Sequence, residues 1–139
     1  MSQMDMRFLS AFVFLPALIF SQNTISVHVK NVDSTLGQVN VAVYDSDDTF
    51  LSFDKVLKTG TVRAHKGMVT LKIEDLPVGE YALAVFHDEN ANGLLDTNWL
   101  GIPKEKVAFS KGKMHTFGPP KYHECSFMVT SDYEISIEL

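Results

Sequence analysis

Hydrophobic and polar residues alternate with a period of two along most of the chain. In residues 24–30, Ile25, Val27 and Val29 fall on one face and Ser26, His28 and Lys30 on the other. This alternation predicts a half-buried strand. Gln38–Tyr44 repeats it with Val39, Val41 and Val43, residues 68–74 with Val69, Leu71 and Ile73, and residues 133–139 with Ile135, Ile137 and Leu139. Residues 59–64 form a weaker strand. The turn His65-Lys66-Gly67 between them and residues 68–74 predicts a hairpin. Residues 75–80 read as a turn. Residues 81–87 are apolar on both faces, which predicts a strand covered on both sides. Residues 126–130 form a short strand with Phe127 and Val129 inward, and Cys125 continues that alternation.

Two stretches lack a period of two. In residues 49–58, Phe50, Leu51, Phe53, Val56 and Leu57 have roughly helical spacing. The expectation is a loop with one or two helical turns, packing Phe50 and Phe53 on a sheet edge; an irregular edge strand is the alternative. Beyond Pro103 the chain reads as irregular, and Pro119-Pro120 excludes regular structure there. About seven short strands and no long helix predict an all-β fold, an antiparallel β-sandwich with one long Asp/Asn/Gly loop.

The first residues stand apart. Arg7 precedes an almost wholly apolar run, residues 8–20, and Ser21 is a small residue. That order is the one found in a secretory signal peptide. The run is shorter than the roughly twenty residues of a membrane span. The expectation is a signal peptide over residues 1–21, one domain over residues 22–139, and a secreted or periplasmic protein without a transmembrane segment after cleavage. A cut after Gln22 and an uncleaved anchor are the alternatives. No cysteine stands directly after the apolar run, so a lipid anchor is not expected.

Charge and cysteine content narrow the classes. The formal net charge is −5, and removing Asp5 and Arg7 with the leader leaves it unchanged. With no basic stripe, a nucleic-acid partner is not expected. The one cysteine, Cys125, excludes an internal disulfide and reads as a buried apolar side chain.

The candidate chemistry lies between His87 and Pro103. Asp88, Asn90 and Asn92 carry oxygens at alternate positions, Gly93 follows, and Asp96 closes the set. Counted from Asp88, these are positions one, three, five, six and nine of a calcium loop, with Leu94 at seven offering its carbonyl. Position twelve is Trp99, where a helix–loop–helix site needs a glutamate, and a strand rather than a helix precedes the loop. The expectation is a structural calcium ion held outside that motif by Asp88, Asn90, Asn92, Leu94, Asp96 and a carboxylate from elsewhere. Glu105 is the nearest, with Asp47 or Asp48 as further choices; Glu89 should point away. Few carboxylates imply weak affinity, about 10⁻⁴–10⁻³ M. The opposing expectation is a metal-free loop closed by Asx turns.

Residues Leu76-Pro77-Val78-Gly79-Glu80-Tyr81, Ala84-Val85-Phe86-His87-Asp88-Glu89-Asn90, Asn92-Gly93, Leu95-Asp96-Thr97-Asn98 and Gly101-Ile102-Pro103 together resemble the bacterial secreted family catalogued as domain of unknown function 2141. Ala108-Phe109-Ser110, Pro119-Pro120 and Cys125-Ser126-Phe127 extend the resemblance over essentially the whole mature chain. It implies a small exported sandwich, Ig-like or prealbumin-like and akin to carboxypeptidase-regulatory-like domains, and it brings no activity. Ala91 stands where a glycine is common, and Lys111-Gly112 where asparagines are common.

Catalytic motifs are missing. The five histidines show no metal-ligand spacing, and no nucleophile elbow or phosphate-cradling glycine loop is present. His87 reads as a residue that orients a loop. Trp99, Phe109, Phe117 and Tyr122 read as core, or else as an apolar lid. The sequence therefore points to a non-enzymatic exported domain serving an unknown protein or cell-envelope partner. A metal-dependent hydrolase, or a small-ligand carrier using the aromatic region near Trp99, stands as the alternative.

Overall fold

The computed structural model describes residues 21–139. The leader therefore lies outside the described residues, apart from Ser21. Eight strands follow in chain order: β1 (Gln22–Val32), β2 (Gln38–Tyr44), β3 (Lys58–Arg63), β4 (Gly67–Pro77), β5 (Gly79–Asp88), β6 (Val107–Phe109), β7 (Phe127–Val129) and β8 (Tyr133–Glu138). They form two sheets, one ordered β4-β1-β8 and one ordered β3-β2-β5-β6, with β7 also paired to β5.

The alternating valines and isoleucines behave as their period requires. Ile25, Val27 and Val29 of β1 and Leu71 and Ile73 of β4 face Val41 and Val43 of β2 and Leu83 and Val85 of β5. This is the core between the sheets. Strand β5 is central, flanked by β2 on one side and by β6 and β7 on the other. Its second face is also covered, as its two-sided apolar pattern predicts. Ala42, Ala82 and Ala84 leave room there for Tyr44, Phe109, Tyr122 and Cys125. Phe50 sits among these rings, edge-on to Tyr44 at 5.4 Å and to Tyr122 at 5.8 Å.

Several expectations are corrected. The hairpin between residues 59–64 and 68–74 does not form. β3 pairs with β2, and β4 pairs with β1 in the other sheet. Between them Ala64 is buried and its N–H donates to the Gly37 carbonyl at 3.1 Å, so His65-Lys66 carries the chain from one sheet to the other. Residues 75–77 extend β4 rather than turning. One extra residue is accommodated where Asn23 pairs Leu76 but Ile25 pairs Ile73, with Asp75 at φ 60, and Leu76 is buried as a result. The all-β, mainly antiparallel sandwich of about seven strands is as expected; the short strand Val107–Phe109 joins it by pairing with β5, and β8 adds one parallel pairing, to β1. Cys125 ends a single helical turn, Tyr122–Cys125, rather than starting a strand, yet it is fully buried. Phe50 packs on the sheet, whereas Phe53, in a short 3-10 turn, is exposed.

Candidate metal centre and hairpin finger

The loop leaves from the end of the central strand, so its first side chain starts inside the fold. Asp88 is fully buried. One carboxylate oxygen, Oδ2, accepts from Gln38 Nε2 at 3.1 Å, Asn40 Nδ2 at 3.2 Å and the Gly93 N–H at 2.7 Å. The other, Oδ1, accepts from the Asn92 N–H at 3.2 Å. Thr61 donates to Asn40 Oδ1 at 2.8 Å, which turns the Asn40 amide nitrogen toward Asp88. Burying a carboxylate is tolerable only when hydrogen bonds replace its water, and here four donors do so.

Beyond Asp88 the loop bends as its composition predicts. Gly93 adopts φ 76, and Ala91 adopts φ 54, where a Cβ is crowded. Asn90 Oδ1 accepts the Asn92 N–H and Asn92 Oδ1 accepts the Leu94 N–H, two Asx turns in succession. Both amide nitrogens donate to Asp96, Asn90 at 2.6 Å and Asn92 at 3.0 Å. Glu105 closes the base, accepting the N–H groups of Glu89 and Asp96 at 3.2 and 3.3 Å. Burial pushes the Glu105 carboxyl up; the two N–H groups oppose this, and the negative charges of Asp88 and Asp96 add to it. Glu89, Asn90, Asp96, Thr97, Lys104 and Glu105 line an open depression of about 500 Å³.

Asp88, Asn90, Asn92, Asp96 and Glu105 are therefore gathered at one loop. Asp47 and Asp48 are not. Gln38 lies opposite Asp88 and Tyr44 opposite Ala82, so the turn after Tyr44 sits toward the far end of β5. Glu89 turns toward Ser34, at 3.5 Å. His87 is buried and ties the end of β5 to the turn before β2, with Nε2 2.8 Å from the Leu36 carbonyl. The donor set suits calcium in kind, being carboxylate and amide oxygens with no imidazole or thiolate. Asp88 Oδ1 and each oxygen of Asp96 and Glu105 accept a single hydrogen bond, which leaves a lone pair free. Among the described residues no three His, Cys, Asp or Glu side chains converge at metal-ligand distance. Asn90, Asn92 and the Leu94 carbonyl would have to complete the coordination.

The second half of the loop is a small hairpin. Thr97 bridges Pro103, Asn98 N–H donates to the Ile102 carbonyl at 2.8 Å, and Gly101 N–H donates back to the Asn98 carbonyl at 2.9 Å. Asn98 Oδ1 accepts both the Leu100 and Ile102 N–H groups, at 2.9 and 3.0 Å. Trp99 is 90 % exposed, and Leu94, Leu100 and Ile102 are also exposed. The aromatic set thus divides: Phe109 and Tyr122 are core, while Trp99 and Phe117 point to solvent. Among the described residues Trp99 and Phe117 form no lid over the loop. Gln38, Asn40 and Asn98 escaped the sequence reading, although Asn40 stands between Val39 and Val41 in a strand of apolar neighbours.

Fold and site together define an all-β sandwich that carries an Asx-rich loop on its central strand. The chain belongs to the family described as an uncharacterized protein conserved in bacteria (DUF2141), whose model matches residues 27–137 of the 139. No curated protein and no solved structure matches the chain.

Proposed function

We propose that the protein is an exported, non-enzymatic binding domain of the cell envelope or extracellular space, whose 88–105 loop takes a structural calcium ion. One observation carries this reading. Asp88, Asp96 and Glu105 surround one loop, and among the described residues none of them is ion-paired with a lysine or arginine. Their mutual repulsion is already felt at Glu105. A divalent cation would relieve it and tie both halves of the loop to the sandwich. Export rests on the charged, apolar and small-residue order of the leader.

A metal-free loop is the second reading, favoured by the N–H partners that Asp88, Asn90 and Asn92 already have. The carrier alternative loses ground, because the depression beside the loop is lined by polar side chains and Trp99 points away from the fold. The test is thermal melting in calcium, magnesium, zinc and chelator. A calcium-specific rise that is absent in Asp96→Ala supports the ion. An identical melting temperature in every condition assigns the loop to its own hydrogen bonds.

A further inference from the structure

The finger of residues 97–103 has a property that plain exposure does not explain. It carries no charged residue, and Trp99, Leu100 and Ile102 all face outward. At the same time four of the finger's six N–H groups, those of Asn98, Leu100, Gly101 and Ile102, are taken up inside it, two of them by the single oxygen Asn98 Oδ1. In water this internal pairing gains little, because water would satisfy the same donors. A protein pocket could also supply acceptors from its own backbone and side chains. Hydrocarbon supplies none, so a segment that enters it must bring its own. Tryptophan at the tip suits the boundary between headgroups and acyl chains.

We propose that this finger inserts into the interfacial zone of a zwitterionic lipid surface. The proposal names the partner in the envelope reading and rests on that reading for its setting. Charge decides the lipid class. Asp88, Glu89, Asp96 and Glu105 stand at the finger's base with Lys104, so the base stays net acidic even with one divalent cation bound and disfavours an anionic surface. Insertion is driven by apolar area and is insensitive to salt.

The test uses residues 22–139, the chain that remains after removal of the leader, with phosphatidylcholine vesicles. Trp99 is the chain's one tryptophan, so its emission reports the finger directly. Emission should shift to the blue on vesicle addition and be quenched by bromine-labelled acyl chains. Leu100→Asp should lower partitioning about tenfold or more, while Phe117→Asp, on a different loop, should not change it. Unchanged emission with vesicles overturns the proposal and directs the finger to a protein pocket. Partitioning that survives Leu100→Asp, or that needs anionic lipid, also overturns it. The calcium reading is scored by melting alone, so either can fail without the other.

Discussion

The side-chain nitrogen of Asn40 lies 3.2 Å from a carboxylate oxygen of Asp88, one strand away, in a place closed to solvent. This contact joins the first residue of the functional loop to the neighbouring strand of the sheet. It makes Asp88 a structural residue whether or not a cation is bound. Replacing Asp88 by Ala strands two side-chain donors and two loop N–H groups. Unfolding in urea, with chelator present throughout, should show a loss of about 3 kcal/mol. Asp96→Ala, at a half-buried position farther along the loop, should cost far less under the same conditions.

Gly37 makes the second anchor. A Cβ at this position would lie 2.0 Å from the Asp88 carbonyl oxygen and 2.6 Å from that of Glu89, and the residue adopts φ 65. Gly37→Ala should destabilise by at least about 3 kcal/mol, since backbone on both sides must shift. Its melting temperature, set beside that of Gly93→Ala, separates the two causes. Gly93 shares the positive φ but has open space around it, so its substitution carries only the conformational cost.

Glu105 sets a pH dependence. Burial, and then the charges of Asp88 and Asp96, hold its carboxyl above the ordinary value of 4.5. A carboxyl that binds its proton more tightly in the fold contributes stability below its unfolded pKa and loses it as pH rises through the folded one. In chelator, wild-type melting temperature should therefore fall across that window. Glu105→Gln, which keeps one acceptor and cannot ionise, should flatten the decline. Calcium should do the same for wild type and nothing for the variant.

Cys125 should be inert. It is fully buried against Gly112, and burial pushes its thiol up to about 11. A thiol reagent at neutral pH should react with the native chain only as fast as it opens, and promptly in denaturant. Fast labelling of the native protein would show that the helical turn Tyr122–Cys125 is not closed over the sheet.

The loop was legible because its information is local. Oxygen-bearing residues at every second position, with glycine where the chain bends, describe a backbone that turns side chains inward within a few residues. Glu105 was legible too, as the nearest carboxylate along the chain. The partners on β2 were not. Gln38 and Asn40 meet Asp88 only because β2 lies beside β5 in that register. The same register moves Asp47 and Asp48 to the opposite end of the strand.

Period-two alternation determined by itself that Ile25, Val27, Val29, Leu71, Ile73, Leu83 and Val85 would face a common core, and it singled out β5 as covered on both faces. Burial follows from which side a residue points to, and in a strand that is a matter of parity. Pairing follows from which strands meet, and that only the tertiary structure decided. A glycine turn between β3 and β4 suits a hairpin, yet eleven-residue β4 gains a longer ladder against eleven-residue β1 than six-residue β3 can offer. The parallel contact of β8 with β1 is non-local in the same sense, for it joins Ile25 to Tyr133 across nearly the whole described chain. No spacing along the sequence records such a contact, because the free energy that selects it is the packing of two sheets.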